Sequence, residues 1–296
     1  FTRFGLKKLI STSFAPDSKP YKNGYQPTLF ELNDPQYDKT KTIKNGKIFM
    51  LTKDKSGDGK IDVNDLEWTY LQGDGDFNSA EIKKLRDEAD IIITNPPFSL
   101  FREFLAWIME GEKQFLMIGN INIITYKEVF PLIKSNKAWL GTGMGRWISG
   151  FIVPESYELY GTEARVDAAG NRIVATNSCL WLTNIDHGKR HQYLQLMTME
   201  ENIKYSKHKQ VKGKKYQKYD NFDAIEVPYT DAIPSDYEGL MGVPITFLDK
   251  YSPEQFDIVG CSYDYGRPSG WAKDVDMSVT IEGINIYKRI LIKHKK

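Results

Sequence analysis

Residues 90–101 read DIIITNPPFSLF, a β-branched run that ends in asparagine, two prolines and phenylalanine. Ile91, Ile92, Ile93 and Thr94 favour a strand, and so continuous an apolar run is expected to be buried on both faces. Proline cannot donate to a sheet ladder, so Pro96 and Pro97 end the strand at Asn95. From Ser99 onward, SLFREFLAWIMEG places apolar residues at helical spacing and closes at Gly111. KQFLMIGN at 113–120 then reads as a second strand, which completes a βαβ unit.

The same alternation continues on both sides. Downstream, TYKEVFPLIKSN (125–136) reads as a helix despite Pro131, and KAWLGTG (137–143) as a strand. GTGMG at 141–145, late in the sheet, reads as a loop near the base pocket. Upstream, GLKKLISTSF, KIFMLT and LEWTYL read as strands, and GDGDFNSAEIKKLRDEA as a turn opening a helix capped by Asn78 or Ser79. Residues 15–46 form a polar excursion too long for an ordinary connection. RVDAAGNRIVATNSCLWLTN (165–184) predicts a hairpin with its turn at DAAGN and an antiparallel return strand. The expected fold is α/β, a mostly parallel sheet with an antiparallel C-terminal hairpin. After about residue 186 the rhythm changes to lysine, tyrosine, proline and glycine, with short strands DAIEV, PITFL and FDIVG. We therefore divide the chain into 1–185 and a smaller region, 186–296.

At 296 residues, with 41% hydrophobic and 27% charged, the chain has the composition of a folded protein and not of a disordered one. Its 40 Lys+Arg against 39 Asp+Glu leave a net charge of +1, so contact with nucleic acid has to come from a local basic patch. Two cysteines, Cys179 and Cys261, exclude a disulfide framework or a cysteine zinc site and fit a reducing cytoplasm. No apolar stretch is long enough to cross a bilayer, and no signal peptide opens the chain. The opening FTRFGLKKLISTSF has no methionine and runs directly into a strand, from which a preceding segment is expected.

In open α/β sheets ligands sit beyond the carboxyl ends of the strands, where TNPPF falls. An amino group conjugated to an aromatic ring is a poor nucleophile because its lone pair is delocalised. If the Asn95 side-chain carbonyl and the Pro96 backbone carbonyl each accept one amino hydrogen, the nitrogen is biased toward tetrahedral geometry and its lone pair is freed. Such acceptors act by electrostatic preorganisation. Pro96 and Pro97 fix the backbone and add no competing N–H. Phe98 offers a flat face to an extruded base, a contact worth roughly 1–3 kcal/mol. The competing reading is a plain strand-ending turn with Phe98 in the core.

The segments FGLKKLIST, GDGDFNS, ADIIITNPPFSLFREFL, ITYKEVFPLIK, YDNFDAIEV and MGVPITFLDKYSPEQFDIVG span nearly the whole chain. In them the chain resembles the S-adenosylmethionine-dependent amino-methyltransferases of Rossmann-like fold, and more closely the EcoRI-type adenine-specific DNA methyltransferase family. The resemblance implies N6-methylation of a flipped-out adenine in a short sequence of double-stranded DNA, within a restriction-modification system whose cognate nuclease acts separately. It implies that Asn95, Pro96, Pro97 and Phe98 form the target-base pocket and that Asp76 contacts the cofactor's adenine amino group. Phe77 would lie beside the cofactor ring and Asn95 would border it. The family's methionine-binding segment lies before FGLKKLIST. Two alternatives stay open: a methyltransferase acting on RNA or on protein glutamine with the same motif, and a calcium-stabilised DNA-binding module deficient in cofactor.

DKSGDGKIDVND follows the spacing of a calcium loop: Asp54, Ser56, Asp58, the Lys60 carbonyl, Asp62 and Asp65, with Gly59 at the sharp turn. A metal here would be structural, since transfer from a sulfonium needs none; an acidic hairpin turn is the plainer reading. KYSKHKQVKGKKYQK at 204–218 holds seven lysines and no acid. Within a DNA enzyme Lys207, Lys209, Lys212, Lys214 and Lys215 would contact phosphates. Trp147, Phe151 and Trp181 are candidates for a second aromatic against the flipped base. His187, His191, His208 and His294 show no metal spacing and read as surface residues. Oligomeric state is not legible from the sequence.

Overall fold

The computed structural model describes residues 1–18, 32–144, 151–159, 164–174, 178–262, 266–268 and 278–295. The chain separates into two units, Phe1–Asp90 and Ile91–Lys296.

In the first unit β1 (Leu9–Ser13), β2 (Lys47–Leu51) and β3 (Glu67–Tyr70) form one antiparallel sheet in that order. The upstream strands therefore do not join a parallel sheet. The polar excursion contains a short helix, α1 (Lys39–Lys44), because Asp38 caps it by accepting from the Thr40 and Lys41 amides. Trp68 packs edge-on to Tyr70 at 5.2 Å, and the Lys47 ammonium lies 5.1 Å from the Trp68 ring. Helix α2 (Ala80–Glu88) begins at Ser79, whose hydroxyl accepts from the Ile82 amide.

The second unit starts with β4 (Ile91–Thr94), α3 (Phe101–Glu110) and β5 (Gln114–Asn120), and β4 and β5 pair in parallel. One face of this pair carries Ile92, Thr94, Phe115 and Met117, with Phe115 and Met117 fully buried; α3 buries Phe101, Leu105 and Ile108. Each such side chain contributes about 1.5–3 kcal/mol by leaving water. The other face of β4 is open, with Ile91 44% and Ile93 71% exposed. The expectation of a strand buried on both sides is corrected here, because among the described residues nothing covers the face that carries Ile91 and Ile93. Helix α3 closes at Gly111, yet the left-handed turn falls on Glu112, at φ 53°.

Pro131 is no obstacle to helix α4 (Phe130–Lys134), since it occupies the first turn, where its missing N–H is not needed. Strand β6 spans Trp139–Met144, which agrees with the strand expected of KAWLGTG and overrides the loop expected of GTGMG; Gly145 lies outside the described residues. Strands β7 (Phe151–Val153), β8 (Ala164–Val166) and β9 (Arg172–Val174) form a separate antiparallel sheet, with the β8–β9 turn organised by Asp167. Strand β10 (Cys179–Thr183) runs antiparallel between β5 and β6, giving the order β4-β5-β10-β6. Its register is held by the Thr183 hydroxyl on the Phe115 carbonyl and by the Asn184 amide, which bonds both Phe115 N and Lys113 O.

Beyond helix α5 (Met199–Tyr205) lies a second four-stranded sheet. It comprises β11 (Ile225–Glu226), β12 (Met241–Pro244), β13 (Phe256–Cys261) and, after the hairpin β14 (Thr280–Ile281) with β15 (Ile284–Asn285), β16 (Arg289–His294). The order is β11-β12-β16-β13. PITFL is not a strand: Pro244 ends β12 and Ile245–Lys250 is 3-10 helix. The fold is thus mixed α/β with several small mixed sheets, and among the described residues parallel pairing is confined to β4–β5 and β11–β12.

Candidate active site

Strand β4 delivers Asn95 at its carboxyl end, where the two prolines stop the ladder. Pro96 is buried, whereas Asn95 and Pro97 are exposed. Pro97 sits at φ −54° and ψ 131°, and its carbonyl accepts from the Leu100 amide, so a tight 3-10 turn (Phe98–Leu100) leads into α3. Among the described residues neither the Asn95 side chain nor the Pro96 carbonyl has a hydrogen-bond partner. Phe98 is 49% exposed, which leaves ring surface for a flat ligand and excludes it from the core. Two uncommitted acceptors beside a half-open ring are what a planar amino-bearing base requires.

Tyr126, not singled out from the sequence, lies beside the first turn of α3. Its ring is 6.5 Å from Phe101 and 4.4 Å from the Arg102 guanidinium. Of the aromatics considered, Trp181 is half-buried on β10 opposite Ile118; Trp147 lies outside the described residues, as does the Phe151 side chain.

Asp76 belongs to the first unit. Gly75 before it has φ +90°, and a Cβ there would stand 2.7 Å from the Ser13 carbonyl oxygen, so only glycine lets this turn pass β1 so closely. One Asp76 carboxylate oxygen accepts from the Asn78 amide at 2.9 Å. The other has no partner among the described residues, which suits an incoming amino donor. Phe77 is only 6% exposed, so its ring is largely committed to the core of its unit.

The acidic loop is held by its own backbone. Asp65, only 3% exposed, accepts from the Lys55, Ser56 and Asp62 amides, and these bonds hold its carboxyl down at about 2. Asp54 accepts from the Gly57 and Gly59 amides, and Asp58 and Asp62 accept from Lys60 and Asn64. Lys55 pairs with Glu67. Among the described residues no three acidic, histidine or cysteine side chains converge on a metal position, so calcium at Asp54, Ser56, Asp58, Lys60, Asp62 and Asp65 finds no support. The aspartates serve instead as acceptors that organise the turn.

Lys209, Lys212, Lys214 and Lys215 are exposed and unpaired among the described residues, whereas Lys207 is bound to Asp231 at 2.7 Å. The four histidines, read as surface residues without partners, are all held. His187 contacts the Leu140 carbonyl, His294 the Pro234 carbonyl, and His208 stacks on Tyr229 at 3.7 Å and bonds Asp231. His191 lies between Asp186 and Glu254, and those hydrogen bonds, Asp186 first, raise its pKa. A trio of buried Tyr219, buried Glu226 and half-buried Arg289 also escaped the sequence reading, because Glu226 and Arg289 are 63 residues apart and no local pattern joins them.

The family model described as "Adenine-specific methyltransferase EcoRI" matches residues 1–295. Type II methyltransferase M.EcoRI of Escherichia coli is 45% identical over 297 residues, covering 100% of this chain and 80% of the relative. M.MgeORF184P of Mycoplasma genitalium is 34% identical over 250 residues, with 80% of this chain and 74% of the relative covered. M.MpnI of Mycoplasma pneumoniae is 29% identical over 283 residues, covering 93% and 86%. No solved structure matches the chain significantly. With a family model matched across residues 1–295, the protein belongs to the EcoRI family of adenine-specific methyltransferases.

Proposed function

We propose that Asn95 to Phe98 hold an adenine turned out of double-stranded DNA while its N6 receives a methyl group. The chain is an adenine-specific DNA methyltransferase of the type II restriction-modification class. S-adenosylmethionine, when bound, supplies an electrophilic methyl on a sulfonium. The observation that carries the residue assignment is the pair of free acceptors, the Asn95 side chain and the Pro96 carbonyl, beside the half-open Phe98 ring. Asn95 Oδ1 and Pro96 O would each accept a hydrogen bond from one N6 hydrogen, steady the positive charge that grows on nitrogen as the methyl–sulfur bond gives way to the methyl–nitrogen bond, and keep the lone pair directed outward. The sulfur departs as the neutral thioether of the spent cofactor, and one N6 hydrogen is then lost as a proton to solvent. Phe98 holds the base by stacking.

Asp76 fits the cofactor through its open carboxylate oxygen, which would accept from the adenine amino group of S-adenosylmethionine. Phe77 would support this end from within its unit. We take β4-α3-β5 as the nucleus of a Rossmann-like methyltransferase sheet, 1–185 as the catalytic part, and 186–296 as the part that contacts DNA. There Lys209, Lys212, Lys214 and Lys215 meet phosphates, with Lys207 shared with Asp231. A cognate nuclease would share the DNA site without binding the protein. Transfer of a labelled methyl group from S-adenosylmethionine to duplex DNA by the full-length protein tests this. Label should enter duplexes carrying the target adenine, and equal labelling of single-stranded RNA or of protein would refute the DNA assignment.

A further inference from the structure

Behind the lysine loop the second unit contains a cavity of about 470 Å³, between residues 210–217, β11, the β14–β15 hairpin and the start of β16. Its floor includes buried Ile281 and half-buried Ile286; Gln210, Gln217, Lys214 and Lys215 stand around it. The lysine loop is built, not loose. Val211 is buried, Gly213 turns with φ 73° and donates to the Ile203 carbonyl, and the Tyr216 hydroxyl donates to the Ala232 carbonyl at 2.6 Å.

The inner wall is a hydrogen-bonded charge network. Glu226, 9% exposed, accepts from Arg289 Nε and Nη2 at 3.1 and 2.6 Å and from the Tyr219 hydroxyl. Gly242 makes this possible, since any Cβ there would collide with the Tyr219 ring. Burial and the adjacent Glu226 carboxylate push the Tyr219 hydroxyl far up, so it stays a donor. Arg289 Nη1 donates to the Tyr287 and Lys288 carbonyls. Of five guanidinium hydrogens, one on Nη2 remains uncommitted. The Gln210 and Gln217 carboxamides and the Lys214 and Lys215 ammoniums also have no partner among the described residues.

A fixed cavity with an apolar floor, two open carboxamides and two unpaired cations matches the parts of a nucleotide: a flat base, its donor-acceptor edge and a phosphate. Building on the DNA assignment above, we propose that this cavity reads one base of the DNA site other than the adenine being methylated. Gln210 and Gln217 contact the base edge, and Lys214 and Lys215 take the neighbouring phosphates. Base contacts carry sequence information and phosphate contacts do not, so the two pairs are separable by experiment.

The test uses the full-length protein and a set of duplexes in which each base pair of the site is replaced singly, with kcat/KM measured for each. The variant Q210A/Q217A should keep its melting temperature and lose about 5- to 150-fold of discrimination at one position of the site, leaving the others intact. K214A/K215A should reduce the salt dependence of binding by roughly two units of slope without changing discrimination. Undiminished discrimination in Q210A/Q217A, or equal loss at every position, overturns the inference while leaving the methyltransferase assignment standing. Absence of methyl transfer to any duplex by the unmodified protein overturns both.

Discussion

Asn95→Ala removes a side chain that the fold does not use. Asn95 is exposed and has no side-chain partner among the described residues, so stability should shift by no more than about 0.5 kcal/mol. The Pro96 carbonyl is backbone and remains. Methyl transfer then proceeds with one fixed acceptor in place of two. Removing one preorganised group of this kind costs about 10²- to 10³-fold in the chemical step. Asn95→Asp retains an acceptor and should lose less than Asn95→Ala. The assay is single-turnover transfer of labelled methyl at saturating DNA and cofactor, with DNA affinity and melting temperature measured alongside. An Asn95→Ala rate within about fivefold of the unmodified protein, at unchanged affinity, would refute the two-acceptor mechanism.

Asp76→Ala should weaken S-adenosylmethionine binding by about tenfold, as for one hydrogen bond to a charged group, with melting temperature unchanged; calorimetry showing equal affinity would remove Asp76 from the cofactor site. Asp65 lowers its pKa from 3.8 to about 2 on folding, so the stability it contributes is full above the ordinary value and is lost as pH falls toward 2. Asp65→Asn should flatten that acid limb, and millimolar calcium should leave the melting temperature of the unmodified protein unmoved; a calcium-dependent rise would restore the metal reading. His191 has the opposite sign: its raised pKa stabilises the fold below 6.5, and that contribution fades as pH rises through the raised value. NMR titration should find His191 above 6.5, and Asp186→Asn or Glu254→Gln should bring it down; a normal titration point would contradict the observed pairing.

The βαβ nucleus was readable because IIIT, NPPF and the spacing of Phe101, Leu105 and Ile108 are local signals in agreement. Ser79 as a cap and the β8–β9 hairpin were readable for the same reason. Strand order was not: nothing in CLWLT states that it will insert between β5 and β6, a choice made by Asn184 and Thr183 reaching back some 70 residues to Phe115. The calcium spacing misled because backbone amides need acceptors at the same short offsets that a metal does. PITFL misled because β-propensity does not register where Pro244 breaks the ladder. Asn95 and Phe98 were singled out by their motif alone, whereas the contacts of Tyr126, Glu226 and Arg289 arise only through distant neighbours.

The most direct measurement is sequencing of modified bases in DNA from cells that express the full-length protein. N6-methyladenine is expected at one fixed position of a single short sequence, and is expected to be absent when Asn95→Ala is expressed. Unmodified adenine throughout, or methylation on cytosine instead, would contradict it.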